Sequence, residues 1–188
     1  MNTVEHIVEC YFRYCKGCFT MTDLKVIGGN NRQCDLLAVN LSTQEQFHVE
    51  SSVTHGLNFL PSDIELQDIF DKKFRGLPAK REGKGTDYSK GKTYSESILR
   101  TYQSVGFDPV KVQRLFVTWV VKDDSTLRNF LSNYTLNYGI PLQVIAFRDK
   151  ILPELMEKIS TSNYDDEVLR TLSLIRQYTT QTKRAKST

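Results

Sequence analysis

Between residues 18 and 54, three strand-like runs follow one another with only turns between them, and this constrains the fold more than any other feature. The runs are CFTMTDLKVI at 18–27, QCDLLAVNL at 33–41 and QFHVESSVT at 46–54. Each alternates or is rich in β-branched residues. The links are Gly28-Gly29-Asn30-Asn31 and Ser42-Thr43-Gln44-Glu45. Links this short join antiparallel neighbours and are too short for a crossover, so the three runs form a meander.

What flanks the meander sets the rest. Residues 3–16 read as an amphipathic helix with Val4, Ile7, Val8, Tyr11 and Phe12 on its apolar side, stopped by Gly17. A second helix runs from Pro61 to Phe74, with Ile64, Leu66, Ile69, Phe70 and Phe74 as its contacts. Residues 75–92, RGLPAKREGKGTDYSKGK, are rich in Gly, Pro and charge and predict a mobile loop. Helix is expected again at 93–105, then VQRLFVTWVV at 112–121 as a strand buried on both faces. A helix at 124–137, a strand at 141–148 and helices at 152–160 and 165–178 complete the chain. Strands that alternate with helices become parallel neighbours through crossovers. The expected fold is α/β, a mixed central sheet of about five strands flanked by helices. Residues 1–150 form the core, and 151–188 a helical extension with a basic tail. The amphipathic C-terminal helices either cover the sheet or carry an interface, for a homodimer or a partner protein.

Composition narrows the class. No apolar run approaches the roughly 18 residues of a membrane span. Met1-Asn2-Thr3-Val4-Glu5 lacks the basic and apolar regions of a signal peptide. A soluble, cytoplasmic chain with no membrane partner is expected. The formal net charge is only +3, but it is unevenly placed. From Lys72 to Lys92, eight Lys or Arg face two acids, Glu82 and Asp87, and the tail adds Lys183, Arg184 and Lys186. Such clusters are either solvated loops or contacts to a polyanion. Cys10, Cys15 and Cys18 have the C-x4-C-x2-C spacing of an iron–sulfur protein. Cys10 and Cys15 nevertheless fall on a helical pattern, and no second close pair offers zinc four ligands. Free thiols, mostly buried, are expected.

Two carboxylates interrupt the meander. Asp35 stands in the second strand and Glu50 in the third, where an unpartnered buried charge is expensive. Each either pairs locally, for example with Arg32, or the two share a divalent cation. Alternation puts His48, Glu50 and Ser52 on one face of the third strand.

The order of a helix with Glu, a strand, NNRQCDLLAVN, a turn, FHVESSV and a helix resembles the core of the PD-(D/E)XK nuclease superfamily. There, an acid on the first helix, an Asp on the second strand and Glu-x-Lys on the third surround the metal. The resemblance covers about residues 4–75 and implies a Mg2+- or Mn2+-dependent endonuclease acting on nucleic acid, DNA foremost. Its alternative is an inactive subunit of the same fold that binds nucleic acid or a partner protein. The implied metal ligands are Asp35, Glu50 and an acid on the first helix, Glu5 in preference to Glu9. Ser52 stands where the motif has lysine. Either catalysis is lost, or the metal suffices, or the lysine has migrated to the following helix, as in some members. Lys73, in preference to Lys72, is the migrated candidate, and Gln67 is a further contact to substrate or metal-bound water. His48 is a metal ligand or base, or a satisfied strand residue. Lys72, Arg75, Lys80, Arg81, Lys84 and Lys90 are the expected phosphate contacts.

Overall fold

A computed structural model gives the structure, which describes residues 2–53, 62–77, 93–121 and 125–185. The elements are α1 (Thr3–Tyr14), β1 (Phe19–Lys25), β2 (Gln33–Asn40), β3 (Glu45–Ser51), α2 (Asp63–Lys73), α3 (Ser95–Ser104), β4 (Val112–Thr118), α4 (Ser125–Tyr138), β5 (Leu142–Ala146), α5 (Leu152–Lys158) and α6 (Glu167–Ala185). A π-type turn, Phe147–Ile151, joins β5 to α5. The expected loop at 75–92 lies, from residue 78 on, outside the described residues.

Strand order is β1-β2-β3-β4-β5. β1, β2 and β3 pair antiparallel, and β4 and β5 continue the sheet parallel to β3. The mixed sheet therefore has the pairing expected from link lengths: turns give the antiparallel half and crossover helices the parallel half. β1 is an edge strand, and Asp23 in its middle takes a left-handed φ of 51°.

Alternation along the strands sorts side chains into two layers. Leu36, Ala38, Phe47, Val49, Leu115 and Val117 meet Val8, Tyr11 and Phe12 of α1. On the opposite face, α3 packs Ile98 and Tyr102 over Leu37, while α2 and α4 pack Phe70, Phe74, Leu127 and Tyr134 around Phe116. Truncating a buried aromatic such as Phe12 or Phe70 costs about 3–5 kcal/mol. The C-terminal helices lie on α1, where Leu155, Ile159 and Leu169 enclose Cys10. α6 leaves Leu174, Ile175 and Tyr178 exposed. No described helix is long and apolar enough to cross a membrane.

Candidate functional site

The antiparallel register aligns Leu36 with Val49. One step further along each strand, Asp35 and Glu50 are neighbours. They point away from α1, because the adjacent Leu36 and Val49 point toward it. The Asp35 backbone N–H lies 3.4 Å from Glu50 Oε1, and the Ser51 N–H donates to Asp35 Oδ2 at 3.1 Å. Asp35 is 8% exposed and Glu50 1%.

The cation between them comes from α2. Ser62 caps this helix in a reciprocal capping box with Glu65, and Lys73 sits in its last turn, where the helix dipole favours a positive charge. Phe70 and Phe74 anchor that turn on the sheet: Phe70 packs on Phe116, and Phe74 meets the His48 ring edge-on at 4.9 Å. Lys73 Nζ then lies 3.2 Å from Asp35 Oδ1 and in direct contact with Glu50 Oε2. Asp71 is committed elsewhere, to Arg75 at 2.7 Å and Tyr134 at 2.8 Å.

Behind Glu50 lies a buried polar chain. His48, fully buried, approaches Glu50 Oε1 at 2.7 Å through Nε2 and the Tyr102 hydroxyl at 2.6 Å through Nδ1. Both ring nitrogens are used, so His48 holds Glu50 in place from behind. Cys34, His48 and Glu50 also bring ligand atoms within 4.8 Å of one another.

The electrostatics follow from burial and pairing. Burial, and then the neighbouring Glu50, push Asp35 up to about 6, against the opposing pull of Lys73 and the Ser51 N–H. Burial also pushes Glu50 upward, but His48 and Lys73 outweigh it and hold that carboxyl below the usual range. Burial disfavours a charged His48, yet Tyr102, Cys34 and Glu50 hold it well above the ordinary histidine range. Lys73 is raised because Glu50 and Asp35 outweigh its burial.

Asp35, Lys72 and Lys73 open onto a cleft of about 590 Å3 that is also lined by Asn30, Asn31, Arg32 and Tyr94. Arg32 does not pair with Asp35. Its guanidinium donates to the Lys72 carbonyl at 2.6 Å and the Leu77 carbonyl at 2.7 Å, and lies 4.8 Å from the Tyr94 ring centre. This clamp fastens the β1–β2 turn to the end of α2. Gly76, with φ of 67°, completes it: a Cβ there would sit 2.7 Å from the Tyr94 carbonyl carbon.

The expected site residues divide. The structure brings Asp35, Glu50, Lys73 and His48 together, with Lys72 exposed at the rim. Glu5 is placed differently from the expected metal ligand: its carboxylate caps α1, accepting from the Asn2 N–H at 2.7 Å and the Asn2 side-chain amide at 2.6 Å. Glu9 accepts from Thr20 on β1 at 2.9 Å. Ser52 lies past the end of β3, is exposed, and lines a separate hollow with Asn2, Thr3 and Val4. Arg75 is held by Asp71 and stacked on Tyr138 at 3.7 Å, a structural engagement where a phosphate contact was expected. Gln67 is half-buried on α2. Lys80, Arg81, Lys84 and Lys90 lie outside the described residues. Sequence reasoning missed Tyr102, and Arg32's role as a clamp.

The donor set suits a hard divalent cation. Asp35 Oδ1 and Glu50 Oε2 converge on one cationic position at the cleft, now held by the Lys73 ammonium. Glu50 Oε2 is buried and makes no hydrogen bond of ordinary geometry. Two carboxylate oxygens, one buried and one at the cleft wall, match how Mg2+ is held by one or two carboxylates, with water and phosphate oxygens reaching it from the Asp35 side.

Comparison with known families, curated proteins and solved structures finds no match to this chain.

Proposed function

We propose that the chain is a metal-dependent nuclease of the PD-(D/E)XK type with a relocated lysine, hydrolysing phosphodiester bonds in nucleic acid, DNA foremost. The observation that carries this reading is the contact of Lys73 with both Asp35 and Glu50 at an open cleft. Asp35 and Glu50 would hold Mg2+ or Mn2+, which when bound supplies Lewis acidity toward the phosphate. Lys73 then turns from the carboxylates to the phosphate, where its charge stabilises the oxygens that become more negative in the transition state and helps orient the attacking water. His48 keeps Glu50 ionised and aimed. Lys72 at the rim offers a second positive charge to the polymer.

A second reading has its own support. The Lys73 ammonium already occupies the position between the two carboxylates, as expected of a site that binds nucleic acid without cutting it. Linear, circular, branched and single-stranded substrates, incubated with Mg2+, Mn2+ or EDTA, separate the two. The proposal expects cleavage by the parent with metal, none with EDTA, and none by Asp35→Ala or Lys73→Ala. A parent that cuts equally well in EDTA overturns it. A parent that binds and never cuts establishes the second reading. Cleavage that survives Lys73→Ala but not Asp35→Ala would mean the metal suffices without a lysine.

A further inference from the structure

A second cluster of metal-ligating side chains lies on the other side of the sheet from the cleft. His6 and Cys10 stand one turn apart on α1, and four-residue spacing puts them on one face. Asp166 meets them from the start of α6, where its Oδ1 accepts the Leu169 N–H at 2.9 Å as a helix cap. Its other oxygen lies 2.8 Å from His6 Nε2. The ligand atoms of His6, Cys10 and Asp166 all lie within 4.8 Å of one another. We propose that His6, Cys10 and Asp166 form a zinc site that fastens α6 to α1, with water as the fourth ligand.

The chemistry fits on three counts. Imidazole, thiolate and carboxylate are the side-chain ligands of Zn2+. Tetrahedral bonds of about 2.0 Å to N and O and about 2.3 Å to S place the three donors roughly 3.3–3.6 Å apart. His6 and Asp166 therefore separate by about half an ångström, and the Cys10 sulfur closes by no more than about 1.5 Å, within reach of side-chain adjustment. His6 and Asp166 also line a hollow of about 470 Å3 with Asn2, Thr3, Glu167 and Val168, which opens their side of the cluster to a water ligand, while Cys10 closes the other side. Cys10 itself is fully buried among Leu155, Ile159 and Leu169, so its sulfur is shielded from solvent on the core side. Burial pushes the Cys10 thiol up to about 12. Binding therefore exchanges the thiol proton for Zn2+, and that proton leaves to solvent.

The site differs from the cysteine pattern of the sequence. Cys15 and Cys18 take no part, and the third ligand comes from more than 150 residues away in the chain, as the His6–Asp166 separation of 160 shows. It is also independent of the nuclease reading, since it shares no residue with the cleft.

The test uses the full chain, chelator-treated, carrying Asp35→Ala and Cys34→Ser to remove ligands at the cleft. Zn2+ is titrated in competition with a chromophoric chelator, and Co2+ is followed by its near-ultraviolet thiolate absorption. The expected result is one Zn2+ per chain, a cobalt–thiolate band, and a rise in melting temperature on adding Zn2+. Cys10→Ser should abolish the band and weaken zinc at least about 100-fold, the upper end of what an outer-shell partner alone contributes. Asp166→Asn keeps the helix cap and should weaken zinc at least about tenfold. If Cys10→Ser does not fold, His6→Gln serves, since it leaves the core intact. Absence of zinc uptake, a cobalt band that persists in Cys10→Ser, or a zinc affinity unchanged in His6→Gln overturns the proposal and leaves a His–Asp hydrogen bond between two helices.

Discussion

Replacing Asp35 by Asn should make the metal-free protein more stable, and the gain should depend on pH. Burial and Glu50 raise the Asp35 carboxyl to about 6 from an ordinary 3.8. A raised folded value favours folding below the ordinary one, and that contribution is lost as pH rises through about 6. Above that window the ionised side chain costs about 3 kcal/mol, from roughly two pH units at about 1.4 kcal/mol each. At pH 4.5 the same linkage leaves a cost of only about 1 kcal/mol. Asn carries no charge, so Asp35→Asn removes at most these amounts, the amide having its own desolvation cost. For a chain of this length about 3 kcal/mol corresponds to a melting temperature higher by roughly 6–12 °C at pH 8. Thermal melts of parent and variant at pH 4.5 and 8, with EDTA or Mg2+, measure this. The gap should widen toward pH 8, and Mg2+ should narrow it by stabilising the parent alone. A variant no more stable than the parent at pH 8, or a gap equal at the two pH values, refutes the electrostatic account of the site.

Three further outcomes test the same geometry. Lys73→Met removes the ammonium that competes with a divalent ion, so calorimetry should show Mg2+ bound at least as tightly as in the parent while cleavage disappears; weaker Mg2+ binding contradicts this. His48→Gln should weaken Mg2+ about 10–100-fold by freeing Glu50, and unchanged affinity would remove His48 from the positioning role. Replacing Lys80, Arg81, Lys84 and Lys90 together by Ala should flatten the salt dependence of nucleic-acid binding by up to about four units of slope, about one per lost phosphate contact; an unchanged slope would mark the segment as a solvated link.

Much of the site could be read in the sequence because strand alternation and link length are local properties. Asp35 and Glu50 had to be near each other once two strands were joined by a four-residue turn, and Lys73 lies in a helix whose apolar side was legible from Phe70 and Phe74. Other features depend on where an element stops or what meets it. Ser52 lies one residue past the end of β3, where its N–H still bonds the Val117 carbonyl at 2.9 Å, and it lines a hollow beside the start of α1, apart from the cleft. Glu5 and Glu9 share a helix face in the sequence, but Glu5 is drawn back to Asn2 by a local capping box, an N-x-x-E pattern, while Thr20, which holds Glu9, is brought to it by packing. Tyr102 lies 54 residues from His48, and no local pattern joins a helix tyrosine to a strand histidine. Arg32 looked like a carboxylate partner because Asp35 is near it in the chain; the carbonyls it clamps, Lys72 in α2 and Leu77 just beyond it, lie 40 and 45 residues away.

The left-handed residue in the middle of β1 has a consequence for how the molecule keeps to itself in crowded solution. β1 is an outer strand, and an outer strand offers a free row of backbone donors and acceptors to any extended chain it meets. At Asp23 the φ of 51° breaks the regular extended course of that row, and the residue carries a charge where an added strand would need a flat, continuous partner. The strand can therefore pair inward with β2 on either side of Asp23 while presenting a poor template outward. A β-branched residue at this position, with its higher cost in the left-handed region, would favour straightening the edge and would expose the protein to strand-by-strand self-association.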